Sequence, residues 1–462
     1  MARFSAAEIA QAVGGELVAH KKAEVNGVVT DSRNISRGSL FVAIKGPNHD
    51  GHRFVRDAFA KGAAVALISE HSLMLTEPYG VFVVVEDTVT ALQELAAYHR
   101  SRFKKLLVVG VTGSSGKTTV KNMTAAALSR RYVTLKTEGN LNNHIGVPMT
   151  LLNLTRKHEA AVIEMGMSSA GEIARLARIA APSIGVITNI GSAHLGGLGS
   201  VAAVRKAKGE LLDEMTRRGK AVLNIDDPNS EPLIKKTPLN TVTFGWGDGA
   251  DARVMESRLA PSGRRVTIRW KKKENYAKLK LIGVRDADNA SAAFAVAGAA
   301  GVEAGEIVKG LGSVKPEKMR MEPVRLANGA LLINDAYNAN PDSVKSAIQT
   351  LVEIGGGGRT IFVFGDMLEL GPEEEAIHAR IGKFAGKSGV NAFYSYGPLA
   401  GRSAKEAGLV AGCNAKAGKN KERLADEIAG QLRPGDVALV KGSRGMRMED
   451  VVDRIISIAG RR

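Results

Sequence analysis

Cysteine is nearly absent from this chain, since Cys413 is the only one among 462 residues. A single cysteine excludes an intrachain disulfide and any C-x-x-C metal or redox pair. Long apolar runs are also missing. No stretch of about 18 apolar residues could span a bilayer, and the N-terminal segment lacks the apolar centre of a signal peptide. We therefore expect a soluble cytoplasmic protein with no integral membrane segment.

Aromatic residues make up only 5% of the chain, whereas glycine and alanine are abundant. This balance favours α/β layers, in which alanine-rich helices pack closely on parallel strands, over an all-β fold. Hydrophobic residues account for 44% and charged residues for 24% of the sequence, as in globular proteins. Because 462 residues are too many for one hydrophobic core, the composition predicts an α/β protein of several domains.

Acidic residues are outnumbered by basic ones, and the formal net charge is +17. Such a charge suits nucleic acid, an anionic membrane surface or an anionic small substrate. The lysines and arginines are scattered, and their densest run, Arg269 to Lys273, lies between two strand-like segments, where a solvated hairpin tip explains it. Because no nucleic-acid-binding signature accompanies this run, we predict a polyanionic small substrate and no nucleic acid partner.

The segment 106–119, LLVVGVTGSSGKTT, joins a buried-strand pattern to a glycine-rich loop, and a helical pattern follows. Glycines allow backbone N–H groups to surround a phosphate, Lys117 can reach the outer phosphates, and the Thr118 hydroxyl can ligate Mg²⁺. The strict nucleotide-binding pattern has glycine at the position of Val111, so this loop is a shorter variant. An ordinary surface turn is the alternative, but the strand before the loop and the helix after it favour a nucleoside triphosphate site.

Polar residues stand at the ends of further strand-like segments. Glu164 ends the run AAVIE, at the sheet edge where a second Mg²⁺ ligand beside Thr118 would be needed, although a strand-terminal Glu is otherwise solvated or caps a helix. His194 follows the run SIGVITNI and is either a metal ligand or a hydrogen-bonded loop histidine. Lys208 lies on the helical segment 201–215, where a surface position is the default expectation.

Three units follow one another along the chain. Residues 1–103 predict a small α/β domain that ends in a helix from Thr88 to Arg102, capped by Thr88. Residues 104–313 alternate strands and helices around the glycine-rich loop and predict a mainly parallel sheet. Residues 314–462 contain four strand candidates, LLIND, TIFVFGDM, NAFYSYG and DVALVKGS, separated by helical segments, and predict another parallel α/β domain.

Longer motifs in all three units resemble those of the Mur ligases, the ATP-dependent amide-forming enzymes of bacterial peptidoglycan precursor synthesis. The motifs are FVAIKGPNHDGHRF in the first unit, TGSSGKTT, TEGNLNNHIGVP and EMGMSS in the second, and INDAYNANPDS, FGDMLELG and KGSRGMRME in the third. They are most similar to those of the members that join D-alanyl-D-alanine to UDP-N-acetylmuramoyl-tripeptide. The resemblance implies an N-terminal domain for the UDP end of the substrate, a central ATPase and a Rossmann-like C-terminal domain.

The resemblance also implies ATP and Mg²⁺ as cofactors, and it assigns nucleotide and metal contacts by motif. The expected nucleotide contacts are Gly113, Ser114, Ser115, Gly116, Lys117, Thr118, Thr119, Asn289 at the adenine, Arg320 and Asp335. The expected metal ligands are Thr118, Glu164 and His194. Lys208 falls where the family carries a carbamylated lysine, so the implied catalytic groups are Lys117, Lys208 and His194.

Substrate contacts implied by the same motifs fall in all three units. They are Ser32, Arg33, Lys45, Asn142, Asn143, Asn338, Asn340, Lys441 and Ser443. This chain departs from the family where Arg285-Asp286 replaces a common His-Asn pair and Met319-Arg320 a common Gly-Arg pair. We expect a monomer that activates a carboxylate as an acyl phosphate. A Mur or folylpolyglutamate-type ligase with another acceptor and a nucleic-acid-stimulated P-loop ATPase are the alternatives.

Overall fold

The computed structural model describes residues 2–73, 80–192 and 195–462. Their strands form sheets of two, five, nine and six strands. The strands are β1 (Arg3–Ser5), β2 (Glu16–Val18), β3 (Glu24–Asn26), β4 (Val28–Val29), β5 (Leu40–Val42), β6 (Val65–Ile68), β7 (Phe82–Val84), β8 (Leu107–Thr112), β9 (Thr134–Lys136), β10 (Ala160–Glu164), β11 (Ile184–Ile187), β12 (Lys220–Asn224), β13 (Asn240–Gly245), β14 (Ala252–Ala260), β15 (Gly263–Trp270), β16 (Lys273–Leu279), β17 (Glu322–Arg325), β18 (Leu331–Asp335), β19 (Thr360–Gly365), β20 (Ala392–Tyr396), β21 (Asn414–Gly418) and β22 (Val437–Lys441).

Helices alternate with these strands through most of the described chain. They are α1 (Ala6–Ala12), α2 (Val55–Ala60), α3 (Thr88–Ser101), α4 (Lys117–Leu128), α5 (Gly146–Leu151), α6 (Glu172–Ala180), α7 (Leu195–Leu198), α8 (Val201–Asp213), α9 (Glu231–Lys236), α10 (Asp286–Ala299), α11 (Ala304–Ser313), α12 (Pro341–Gly355), α13 (Glu374–Lys387), α14 (Pro398–Gly408), α15 (Lys421–Gln431) and α16 (Glu449–Ala459). Within the residues described, every helix is too short or too polar to cross a bilayer.

The central sheet has the strand order β16-β15-β14-β13-β12-β11-β8-β10-β9. Strands β9 to β14 pair in parallel, and only the hairpin strands β15 and β16 add antiparallel edges. Because β10 and β11 flank β8, the carboxyl ends of these three strands meet at one edge of the sheet. That edge holds the glycine-rich loop after β8, and it is where ligands bind in open parallel sheets.

Two further sheets lie before and after the central one in the chain. The N-terminal sheet runs β2-β7-β6-β5-β4, parallel except for β2. The C-terminal sheet runs β17-β18-β22-β19-β20-β21, parallel except for β17. The fold is therefore mixed α/β with mainly parallel sheets, as the composition predicts.

The C-terminal sheet contains two strands beyond the four candidates. β17 includes Pro323, which lacks a backbone N–H and suits only an edge strand. β21 reads NAKAG, without a β-branched or aromatic residue. Both are edge strands, so neighbouring strands and not their own composition hold them in place. Helix α16 follows the last strand and so lies outside the helical segments between the strand candidates.

The N-terminal cap of α3 differs from the prediction. Asp87, not Thr88, is the cap, because its carboxylate accepts the Thr90 N–H at 2.6 Å. The buried Thr88 hydroxyl donates to the Ala43 carbonyl at 2.9 Å instead. This helix packs against α5 and α6 of the central unit within one hydrophobic cluster that reaches from Phe4 to Leu239, so the N-terminal and central units share buried apolar surface.

The basic run at 269–273 forms the predicted hairpin tip. Lys271 and Lys272 make the two-residue turn between β15 and β16, both with positive φ, of 48° and 66°. Such turns match the twist of the paired strands. The two lysines are exposed, which agrees with a solvated tip.

Candidate active site

The glycine-rich loop is shaped by two glycines that no other residue could replace without strain. Gly113 has φ of 152° and Gly116 has φ of 78°. A Cβ atom at Gly113 would lie 1.8 Å from Thr188 Oγ1, and one at Gly116 would lie 2.5 Å from Asn289 Oδ1. Val111, which stands where the strict pattern has its first glycine, is buried in β8. The turn therefore begins two residues later than in the longer pattern.

The residues after β11 hold this loop from the side. Asn189 accepts the Ser114 N–H through its backbone carbonyl and the Ser115 N–H through its side-chain oxygen, both at 3.0 Å. The Thr188 hydroxyl donates to the Ser115 carbonyl at 2.6 Å. Thr188 and Asn189 were not among the predicted site residues, although their position after a strand beside β8 could have indicated them.

Lys117 lies at the first position of α4, where it turns back over the loop. Its Nζ donates to the Gly113 carbonyl at 2.7 Å. Burial lowers the pKa of Lys117, and the nearby Glu164 carboxylate opposes that shift. A cation in this position can neutralise a phosphate that the loop N–H groups and the helix N-terminus bind.

Glu164 ends β10 beside the start of α4, and it is almost fully buried, with 1% of its surface exposed. Its Oε1 accepts hydrogen bonds from the Thr118 hydroxyl at 3.3 Å and the Asn142 amide at 2.8 Å. Its Oε2 has no hydrogen-bond partner within the described part of the chain. A buried carboxylate oxygen without a donor, next to a threonine hydroxyl, is a suitable pair of oxygen ligands for Mg²⁺.

Lys121 is a charged neighbour of this carboxylate that the sequence analysis missed. It lies one helical turn after Thr118, so both residues occupy one face of α4. Its Nζ is 3.7 Å from Glu164 Oε2, which is an ion pair but longer than a hydrogen bond. Burial lowers the pKa of Lys121, and Glu164 opposes the shift.

Lys208 is buried, with 1% of its surface exposed, so the default expectation of a surface lysine is wrong. The polar residues of α8 mislead here because Val204, Ala207 and Lys208 lie on the face that packs inward. Burial and the positive charge of Lys117 hold the pKa of Lys208 well below its ordinary value. Such a lowered pKa favours the neutral amine over the ammonium form.

Asn289 lies in the first turn of α10, against the glycine-rich loop. Its amide donates to Asp286 Oδ1 at 3.4 Å, and Asp286 Oδ2 accepts the Gly283 N–H at 2.7 Å. Burial raises the pKa of Asp286 to about 6, against the two hydrogen bonds that lower it. The Arg285-Asp286 departure from the family pattern thus introduces a buried titratable group at this end of the site.

Residues of the C-terminal sheet lie opposite the glycine-rich loop. Lys441 Nζ donates to Asp335 Oδ2 at 2.5 Å and to the Asn338 carbonyl at 2.9 Å. The Arg320 guanidinium lies over the Tyr337 ring, 3.8 Å from its centroid, and it lines the cavity described below. Asp335 and Lys441 end β18 and β22, two paired parallel strands.

Asn340 connects these C-terminal residues to the glycine-rich loop. As the N-terminal cap of α12 it accepts the Ser343 N–H, and its amide donates to the Ser114 carbonyl at 3.3 Å. Nearby, the Ser443 hydroxyl accepts the Leu368 N–H at 2.9 Å and donates to the Ala339 carbonyl at 3.4 Å.

A cavity of about 550 Å³ lies between the central and C-terminal sheets. Among the residues predicted from the sequence, it brings together Ser114, Ser115, Gly116, Lys117, Thr118, Thr119, Asn142, Asn143, Glu164, Lys208, Asn289, Arg320, Asp335, Asn338, Asn340 and Lys441. A second cavity of about 170 Å³ adjoins it at Ser114 and Lys117 and is lined also by Ser443 and Arg444. His194 lies outside the described residues.

Ser32, Arg33 and Lys45 lie in the N-terminal unit and stand apart from both lining sets. Arg33 is exposed and pairs with Asp31 at 2.7 Å, which lowers the pKa of Asp31 to about 2. Lys45 Nζ lies 3.9 Å from Asp50 Oδ2 and 3.8 Å from Glu70 Oε1. Ser32 is buried, and its carbonyl accepts the Lys61 ammonium.

Known proteins resemble this chain over nearly its whole length. Family models match it as "Mur ligase family, catalytic domain" over 24–100, "Mur ligase middle domain" over 111–297 and "Mur ligase, glutamate ligase domain" over 319–444. The UDP-N-acetylmuramoyl-tripeptide--D-alanyl-D-alanine ligase of Bacillus subtilis (strain 168) is 37% identical over 461 residues, which cover 99% of each chain.

Solved structures agree with these matches. A crystal structure of MurF from Acinetobacter baumannii superposes with a TM-score of 0.89 at 32% identity, covering 98% of this chain and 99% of that one. The MurF ligase from Thermotoga maritima, crystallised in complex with ADP, gives a TM-score of 0.84 at 28% identity over 94% and 98% of the two chains. The chain therefore belongs to the Mur ligase family.

Proposed function

We propose that this protein is an ATP-dependent ligase that joins D-alanyl-D-alanine to UDP-N-acetylmuramoyl-tripeptide in peptidoglycan precursor synthesis. One observation supports this most strongly. A single cavity is lined by the phosphate-binding loop on one side and by Asp335, Arg320 and Lys441 on the other. A ligase needs such a cleft because the nucleotide must meet a second substrate with water excluded.

The nucleotide would bind with its phosphates at Ser114 to Thr119, its adenine near Asn289 and its ribose near Asp335. Lys117 would neutralise the outer phosphates. The Thr118 hydroxyl and the buried Glu164 carboxylate are suitable ligands for Mg²⁺, with His194 as a further ligand by family resemblance. A bound Mg²⁺ would supply positive charge that offsets the charge on the phosphoryl oxygens.

Amide formation requires an activated carboxylate, because a carboxylate itself is a poor electrophile. The terminal carboxylate of the tripeptide would attack the γ-phosphate of ATP and form an acyl phosphate with release of ADP. The amine of D-alanyl-D-alanine would then attack the acyl carbon, and phosphate would leave. Lys117 and the loop N–H groups would stabilise the transferring phosphoryl group, whereas Asn142 and Asn143 would orient the tripeptide.

Lys208 would act as a carbamate, as family resemblance implies. Only a neutral amine adds to CO₂, and the lowered pKa of Lys208 favours that neutral form. The addition would convert a buried amine into an anion near the metal ligands. The positive charge of Lys117 would then stabilise the product instead of opposing a second cation.

The acceptor dipeptide would lie on the C-terminal side, near Asn338, Asn340, Lys441 and Ser443. Ser32, Arg33 and Lys45 would contact the uridine diphosphate. We also propose domain boundaries at 1–103, 104–313 and 314–462, a monomeric state and a cytoplasmic location. The anionic substrates suit a net charge of +17, with no need for a nucleic acid partner.

Phosphate release from ATP tests the function directly. We expect release in the presence of UDP-N-acetylmuramoyl-tripeptide and D-alanyl-D-alanine together, with formation of the ligated pentapeptide. Omission of the dipeptide should reduce turnover to a small fraction. Release stimulated by another amino acid, or by DNA or RNA in a salt-dependent manner, would contradict the proposal and favour the corresponding alternative.

A further inference from the structure

Three charged side chains of the central unit, Lys117, Lys121 and Glu164, form a small cluster at the start of α4. Lys121 and Glu164 are each 1% exposed in their side chains, and 3.7 Å separates Lys121 Nζ from Glu164 Oε2. Among the described residues, the Lys121 ammonium donates one hydrogen bond, a long one of 3.4 Å to the Gly139 carbonyl. An ammonium with so little hydrogen bonding is costly to bury unless a counter-charge lies beside it.

The two oxygens of Glu164 have different surroundings. Oε1 is occupied by the Thr118 hydroxyl and the Asn142 amide. Oε2, which has no hydrogen-bond donor in the described residues, faces Lys121. Lys117 adds a second positive charge that acts on the same carboxylate. Taken by themselves, the three side chains of this cluster sum to one positive charge. Glu317, Lys136 and Glu138 also act electrostatically on Lys121.

We propose that Lys121 is a positioning residue that makes metal binding at Glu164 conditional on the nucleotide. The inference rests on the proposed function, because it takes Thr118 and Glu164 as metal ligands. A divalent cation that approaches Glu164 alone is repelled at short range by the Lys121 ammonium, and the positive charge of Lys117 adds to the repulsion. The polyphosphate of a nucleotide reverses the sign of the local charge, so the cation binds together with it. Lys121 also restrains Glu164 Oε2 through the 3.7 Å ion pair.

Mn²⁺ binding followed by electron paramagnetic resonance tests the proposal without turnover. We expect the wild-type protein to bind Mn²⁺ weakly alone and at least about tenfold more tightly with ADP present. Lys121→Gln should bind Mn²⁺ alone at least about tenfold more tightly than the wild type, because one nearby positive charge is removed. The tightening by ADP should shrink in the variant by the same factor.

Lys136→Gln is the matched control. Lys136 is a neighbouring cation on β9 whose Nζ donates to Asn122 Oδ1 at 3.2 Å, so its removal changes the net charge equally but leaves the Glu164 contact intact. Its Mn²⁺ affinity should stay close to that of the wild type. In the double variant Lys121→Gln, Glu164→Gln, the gain in affinity should disappear because the ligand itself is lost.

Equal Mn²⁺ affinity in folded Lys121→Gln and wild-type protein would overturn the proposal, as would a wild-type affinity that ADP does not change. Should Lys121→Gln fail to fold by circular dichroism, Lys121→Met, with an unbranched apolar side chain, is measured in the same way. These experiments report binding, whereas the proposed function is tested by phosphate release. Failure of one therefore leaves the other test intact.

Discussion

Charged residues collect at strand ends in both the central and the N-terminal sheets, but they are held in opposite ways. At the end of β10 in the central sheet, Glu164 is buried and its Oε2 lacks a donor within the described chain; Lys208, on the neighbouring helix α8, is buried as well. In the N-terminal sheet, Arg33 and Lys45 are exposed, with 85% and 68% of their side chains accessible, and they pair with nearby carboxylates. Only the first arrangement is costly without a ligand.

The pKa directions show the same contrast. The pKa of Asp31 is lowered to about 2 because Arg33 binds its carboxylate at the surface. The pKa of Asp286 is raised to about 6 because burial removes water from its carboxyl group. The central site is therefore built from groups that its own fold leaves under-solvated, whereas the N-terminal cluster is complete by itself. We expect substitutions in the first to affect chemistry and those in the second to affect only affinity.

The largest effect is expected from Lys117→Ala. The variant should lose at least about 100-fold in turnover, because no other group of the loop places a cation on the outer phosphates. Its thermal unfolding should stay close to that of the wild type, since Lys117 is only half-buried. Phosphate release at saturating ATP is the measurement. Full turnover under those conditions would rule out the phosphate role.

Lys208→Ala should also be inactive, but this variant differs from Lys117→Ala because it can be rescued. Added short-chain carboxylic acids should restore part of the turnover by placing a carboxylate in the vacated space. Lys206→Ala, at an exposed position of the same helix, is the control and should keep full activity. Wild-type turnover in Lys208→Ala would refute the carbamate role.

The N-terminal cluster should respond differently. Arg33→Ala and Lys45→Ala are each expected to raise KM for the UDP substrate about tenfold, as for the loss of one charge-assisted hydrogen bond. KM for ATP and kcat should change little, since the two residues lie apart from the nucleotide cavity. The exposed Lys21→Ala serves as a control for net charge. Equal changes in both KM values would contradict this division of roles.

The smallest effect concerns stability and pH. A carboxyl whose folded pKa is raised stabilises the fold at low pH and loses that contribution as pH rises through about 6. Asp286→Asn lacks this loss, so the variant should gain about 1 kcal/mol over the wild type between pH 5 and pH 7. Urea unfolding at the two pH values measures it. A stability difference that is independent of pH would show that Asp286 is not under-solvated.

Local features of the site could be predicted from the sequence. The glycine-rich loop is encoded within a few residues by Gly113, Gly116 and the strand and helix around them. Glu164 could be predicted as a cavity residue because a parallel strand must end at the ligand-binding edge. Edge strands β17 and β21 could not be predicted, because pairing with neighbouring strands, and not their own residues, makes them strands.

Contacts between residues that are far apart in the chain could not be predicted from the sequence. Lys208 has an ordinary helical context, and only the packing of α8 against the sheet shows that it is buried. Lys121 looks like any lysine of an amphipathic helix until the end of β10 is placed beside it. The side-chain oxygen of Asn189, which accepts the Ser115 N–H, lies in the loop that follows β11. In each case tertiary structure changed the meaning of a residue whose type was already known.

The contact between Asn340 and the Ser114 carbonyl limits which residue types can occupy position 340. Aspartate, serine or threonine would serve the cap of α12 equally well, because each offers an oxygen to the Ser343 N–H. Only asparagine also offers an N–H to the Ser114 carbonyl, and an aspartate there would set two oxygens against each other. A substitution that is neutral for the helix would therefore weaken the link between the C-terminal sheet and the phosphate loop. Position 340 therefore tolerates fewer residue types than its role as a helix cap alone would suggest.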